Sequence, residues 1–184
     1  HLGVPGNNYF TLLHRSTDFV LYFQMLQRNY PSAADQAVGL ACVQLLWDSS
    51  DSVSYLRHLS QSPFANTPSH QVLLAPAKGD HQVAPVTDEI AARSDLGIAV
   101  MANYDRERTP FGVTLAPYPR QGSALVLYDF GNPWPAPGNL PPSTATMDPH
   151  GRPRRLPAHQ RQMVHFFRTG EVIDVCGGDG CHPD

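Results

Sequence analysis

Charge is what this chain has least of. Only 16% of its 184 residues are Asp, Glu, Lys or Arg, against about 25% in a typical soluble domain. The net charge of −3 with histidines neutral gives no basic footprint for nucleic acid or for an anionic membrane surface. The one basic cluster, at 152–155, is short and broken by Pro153. No apolar run approaches the ~20 residues of a membrane span. No G-x-S-x-G motif is present, so the turn that presents the nucleophilic serine in many α/β enzymes is missing. Nor is there a Cys-rich cluster of the kind that completes a strong zinc site. The chain opens at His1, without methionine or signal-peptide pattern, as a processed product or a fragment would.

What is there suffices for one domain with a core. Eighteen prolines and 14 glycines call for many turns and irregular connections. Of three cysteines, Cys42 sits in the apolar pattern GLACVQLLW and is expected in the core. Cys176 and Cys181 flank the glycine-rich turn CGGDGC. A small disulfide loop there would suggest an extracytoplasmic compartment; two metal-ligating thiols with Asp179 or His182, or free thiols, are the alternatives.

The first residues, HLGVPGNN, read as the end of a strand and a turn. Apolar spacing predicts a helix over 11–29, with Phe19, Tyr22, Phe23 and Leu26 on one face and Thr17 or Asp18 as its cap. Pro31 ends it. A second helix is expected over 32–47, with Val38, Ala41, Cys42, Leu45 and Leu46 inward, then a polar break at 49–51 and a short helix over 53–60. These leucine- and aromatic-rich helices read as core; in a lid they would line an acyl pocket. Strands are expected at 72–77, 96–101 and 123–128, a helix at 85–94, and a last helix at 157–168 with Met163, Phe166 and Phe167 inward and Gly170 as its stop. The 103–121 segment reads as an excursion. The alternation argues for α/β with a mostly parallel sheet. Two strong strands and a stub do not make a stable sheet, so more of the sheet is expected outside this sequence.

The chemistry centres on 72–86, VLLAPAKGDHQVAPV. An apolar strand breaks at Gly79 and presents Asp80 at its carboxyl end. After the 123–128 strand come Asp129 and a proline-rich loop of a length that is usually functional or disordered, ending in Asp148, Pro149 and His150. Acid after one strand and histidine after the next is the order of a serine hydrolase triad. Asp80 would orient the imidazole and His150 would take the serine proton. Other roles stay open: Asp80 as a helix cap, His150 as a loop histidine bonded to backbone, Asp129 as the acid. His81 could join Asp80 with His70 or His150 at a metal, as in a metal-dependent hydrolase, but no H-x-x-x-H or H-E-x-x-H pairing supports it. Arg154 and Arg155 read as a solvated loop face, and His14, His58, His159 and His165 as surface or packing residues.

The segments HLGVPGNNYFTLLHRSTDF, NTPSHQVLLAPAKGDHQV and DPHGRPRRLPAHQRQMVHFFRTGEVIDVCGG resemble the C-terminal part of a group of bacterial α/β-hydrolase-fold proteins, often exported, with GDHQV and DPHG-x-PR the most specific blocks. The resemblance implies an α/β fold, the C-terminal half of an α/β-hydrolase sheet with a helical lid insertion. Residues 1–9 would be the strand and turn after the missing elbow, 10–70 the lid, and 71–184 the core with the acid and base loops. It implies acyl hydrolysis of a small neutral ester, Asp80 and His150 as acid and base, no cofactor or metal, and a periplasmic, cell-surface or secreted location. The partner would be the N-terminal half of the same hydrolase, in one precursor or as a second chain. A non-catalytic binding module derived from such a fold is the alternative.

Overall fold

A computed structural model describes residues 1–94, 97–105 and 108–178. Five short strands form one sheet in which every neighbouring pair is parallel: β1 (Leu2–Gly3), β2 (Leu73–Ala75), β3 (Ala99–Met101), β4 (Leu115–Ala116) and β6 (Ala124–Leu125), in the order β1-β2-β6-β3-β4. β5 (Arg120–Gln121) and β7 (Glu171–Val172) make a separate antiparallel pair. The sheet is therefore larger than the two strands and stub expected. β4 lies inside the presumed excursion at 103–121, and two residues are too few to carry a period of two. Of the strand expected at 96–101, Leu96 lies outside the described residues and β3 begins at Ala99.

The sheet is covered on both faces, which is why its strands read as continuous apolar runs rather than alternating ones. Leu73, Ala75, Met101, Val126 and Tyr128 pack with Phe166 of α6 (Pro157–Thr169). Leu74, Val100, Leu125 and Leu127 pack on the other side with Ala91 and Ala92 of α5 (Val86–Ser94) and with Leu56. On α6 the inward residues are His159, Gln162 and Phe166, while Phe167 is 63% exposed and not part of the core as expected. Gln162 earns that place by accepting from the Tyr128 hydroxyl at 2.7 Å and donating to the Ile173 carbonyl at 2.9 Å. His159 stands edge-on to Tyr128, and burial lowers its pKa to about 4, so it packs as a neutral ring.

Between β1 and β2 lies a helical segment: α1 (Tyr9–Leu13), a 3-10 turn Thr17–Phe19, α2 (Val20–Asn29), α3 (Ala33–Trp47), a 3-10 turn Ser52–Tyr55 and α4 (Arg57–Ser60). The helix expected over 11–29 is thus broken at 14–16. Ser16, not Thr17 or Asp18, caps the restart by accepting from the Asp18 amide. On α3 the expected face is reversed. Leu40 is buried, whereas Val38, Ala41, Cys42, Leu45 and Leu46 point outward, Leu46 with 79% exposure. Cys42 is accordingly an exposed free thiol rather than a core residue. The helix is apolar nearly all round, so periodicity alone could not say which side finds a neighbour. Cys176 is disulfide-bonded; Cys181, Asp179 and His182 lie outside the described residues. Among the described residues no helix is long and apolar enough to cross a membrane.

The polar break at 49–51 hides the knot of this segment. Asp51 is buried and accepts from the amides of Asn8, Tyr9 and Val53 and from the Gln44 side chain, at 2.9–3.1 Å. One carboxylate thereby joins the starts of α1 and of the 52–55 turn to the side of α3. Burial pushes its pKa up, but Gln44 and the three amides together hold it below the ordinary value. Its contribution to folding is therefore present above about pH 4 and is lost as pH falls through the folded value. Asp51→Ala should cost about 3 kcal/mol, read as a lower urea midpoint at unchanged slope. Asp51→Asn should flatten the loss of stability below about pH 4.

Candidate functional site

The site is built where β2 and β6 end side by side. Their pairing outlasts the regular strands: Tyr128 donates its amide to Pro76 at 3.0 Å, Ala77 bridges to Tyr128, and the Lys78 amide returns to the Tyr128 carbonyl at 2.8 Å. Two loops leave the sheet next to each other at this point. The first turns at Gly79, whose φ of +69° favours glycine. A Cβ there would stand 2.7 Å from the Asn132 Cβ and 2.8 Å from the Pro133 carbonyl oxygen. Gly79 is the place where the second loop presses against the first.

Asp80 follows, wholly buried, with both oxygens used. Oδ1 accepts from the amides of Gln82 at 2.8 Å and Val83 at 2.9 Å, and Oδ2 lies 2.9 Å from His150 Nδ1. Asp80 is therefore not the cap of α5, which starts beyond these amides. Burial raises its pKa; the Val83 amide, the neighbouring His150 and the Gln82 amide pull the other way without cancelling it. An ionised Asp80 fixes the imidazole proton on Nδ1 and leaves a lone pair on Nε2. The His150 side chain is 20% exposed, and Nε2 has no hydrogen bond to any described residue. A basic nitrogen, oriented from behind by a buried carboxylate and open in front, can accept a proton from a hydroxyl and return it.

Asp148 is the residue that sequence reasoning passed over. Its Oδ1 accepts from the amides of His81 at 3.2 Å and His150 at 3.0 Å, and its Oδ2 from the Gln82 side chain at 2.8 Å. It bonds both loops and so sets the separation of Asp80 and His150. Burial alone would raise its pKa, but the His150 amide, Gln82 and His81 bring it below the ordinary value. The D-x-H spacing was the available signal, since an aspartate commonly accepts from the amide two residues on. Asn132 assists from inside the long loop, donating to Thr146 Oγ1 at 3.0 Å and to the Met147 carbonyl at 2.9 Å.

The other candidates have different occupations. Asp129 pairs with Lys78 Nζ at 2.8 Å and accepts from the Gly131 amide, and it is Asp80 that bonds to His150. The His81 ring faces Thr146 Oγ1 at 3.4 Å, and its carbonyl accepts from the Thr17 amide at 2.8 Å and hydroxyl at 3.0 Å. That pair of bonds ties the helical segment to the acid loop. Arg154 and Arg155 form an exposed 3-10 turn. Among the described residues no three His, Cys, Asp or Glu side chains are disposed to hold a metal ion, and no serine, threonine or cysteine side chain bonds to His150.

Comparison with known families, with curated proteins and with solved structures finds no match for this chain.

Gly79→Ala combines a left-handed backbone with two sub-van der Waals contacts. It should destabilise the protein by about 2 kcal/mol or more and move His150 away from Asp80. The second effect is measurable as loss of the downfield Nδ1 proton resonance of His150.

Proposed function

We propose that this chain carries the acid and the base of a serine hydrolase acting on esters, with the nucleophilic serine supplied from outside this sequence. The observation that carries the reading is the 2.9 Å bond between buried Asp80 and His150 Nδ1. Three features support it. Asp and His follow adjacent parallel strands, β2 and β6, in that order. Both loops leave the same end of the sheet, as the triad acid and histidine of an α/β-hydrolase do. The helices between β1 and β2 stand where a lid would be inserted. In this reading His150 Nε2 removes the serine proton as the oxygen attacks the ester carbonyl. The same proton passes to the departing alkoxide, and water then releases the acid by the reverse exchange. Asp80 holds the tautomer and stabilises the imidazolium. The donors that stabilise the oxyanion come with the nucleophile, from the upstream half of the same hydrolase. The disulfide at Cys176 supports an extracytoplasmic location.

The second reading, a non-catalytic interaction module on a hydrolase scaffold, draws on the outward apolar residues of α3, Val38, Leu45 and Leu46. Fluorophosphonate labelling of the protein from its native source separates the two. Label on a co-purifying polypeptide or a longer precursor is the expected result; a folded protein that takes none favours the module. In the labelled enzyme Asp80→Asn should lower kcat by roughly 10⁴ while leaving the fold intact, and a variant with near-normal turnover removes Asp80 from the role.

The pH profile gives an independent check. Burial raises the Asp80 pKa, so the carboxylate form that orients His150 is lost at a higher pH than for a free aspartate. The acid limb of kcat/KM should therefore not fall below about pH 4.

A further inference from the structure

The helical segment forms a cavity of about 350 Å³ that is open to solvent beside the exposed Tyr22 and Trp47, walled by Leu13, Phe19, Phe23, Leu26, Val43 and Trp47 and floored by Leu40. No ionised side chain lines it, and the polar side-chain groups of its lining residues are the Tyr22 hydroxyl and the Trp47 indole N–H. The charge pattern is consistent along the sequence, because Arg28 and Asp35 are the only charged residues between Val20 and Trp47. Apolar clefts of this kind bind apolar molecules by removing both surfaces from water. The Tyr9 ring braces Trp47 edge-on at 4.9 Å, and His14 braces Phe23 at 4.4 Å, so the walls are held by aromatic contacts from α1 instead of closing on each other.

The cavity is also tied to the acid loop. Thr17 bonds twice to the His81 carbonyl, one residue after Asp80, and Phe19, two residues beyond Thr17, is part of the cavity wall. We propose that this cavity is the acyl subsite, and that the ester the site takes carries an uncharged, medium-length hydrocarbon acyl chain. The proposal rests on the ester-hydrolase reading above and narrows its substrate class. At about 350 Å³ the cavity lies near the lower end of the range of small-molecule sites, the scale of a medium-length alkyl or an aryl-alkyl chain. Short acyl groups would leave the cavity empty, and charged ones would lose hydration with nothing to replace it.

The test needs no turnover. Trp47 lines the cavity, so tryptophan emission of the intact chain is followed while octanamide or acetamide is added. Octanamide should give a saturable change and acetamide none at the same concentration. Val43→Asp should weaken octanamide binding at least about tenfold, and Val43→Phe, which fills the cavity without adding charge, should weaken it likewise if the aspartate variant does not fold. Leu46→Asp, on the outward side of α3, should bind octanamide as the unaltered chain does. A flat octanamide titration, unchanged binding in both Val43 variants, or loss of binding in Leu46→Asp would each overturn the proposal. Failure of the hydrolase reading looks different: octanamide binds with this pattern while no serine is labelled. Labelling with no preference for the longer chain removes only the subsite.

Discussion

A carboxylate sealed from water has to be satisfied on every side, and Asp80 is the group around which this requirement is met. An uncompensated buried charge costs several kcal/mol, and the cost is repaid only with good geometry. Here the partners come from two loops. Two amides belong to Asp80's own turn, and the imidazole comes from 70 residues further along the chain. Such a contact is possible only if β2 and β6 stay in register to their last residues, which the Ala77 to Tyr128 bridge secures. It also requires the loops to touch, and for that Gly79 must lack a side chain. Asp148 then bonds to both loops at once. Strand register, glycine and clamp are thus consequences of one buried group.

Another buried carboxyl lies on the neighbouring helix and is handled in the opposite way. Asp88 on α5 has neither oxygen hydrogen-bonded. Burial first, then the negative charges of Asp80 and Glu89, push its pKa well above the usual value. The consistent state is a neutral acid at Asp88 beside an ionised Asp80. Two unscreened negative charges at these positions would repel each other, and the pair instead divides the roles by environment. Only the carboxyl with amide and imidazole donors keeps its charge. Asn7, also buried, joins the β1 loop to the same helix through its bond to the Thr87 carbonyl at 2.7 Å.

The sequence made the pairing of Asp80 and His150 legible because it depends on order along the chain. Asp80 stands just past the carboxyl end of β2, and the loop that ends in His150 leaves the same end of the neighbouring parallel strand, so the two meet at one edge of the sheet. The faces of the helices were not legible, and the reason is physical. α3 has apolar residues around its whole circumference, so the choice of Leu40 over Leu45 as the buried residue is made by what packs against it and not by period. The same holds for Phe166 and Phe167, adjacent residues of equal hydrophobicity that α6 must separate by about 100°. The buried roles of Gln162 and Asp51 were not legible for a different reason. A polar residue is assigned to the surface by default, and only a structure shows that its donors and acceptors are all met inside. Strands of two residues, such as β4, are defined by their neighbours and leave no trace in composition.

The helical segment and the site are mechanically one unit through two anchors of different kinds. Asp51 gathers the starts of α1 and the 52–55 turn against α3. Thr17 fastens that group to the carbonyl of His81, whose amide in turn donates to Asp148. A displacement of α2 and α3 is therefore felt at the carboxylate that spaces Asp80 from His150. The outward apolar side of the same helices gives such a displacement a driving force, since covering Leu45 and Leu46 removes from water surface worth about 25 cal/mol per Å². Both sides of this helix pair are thus connected to Asp80 and His150 by a short run of hydrogen bonds, through Thr17, His81 and Asp148.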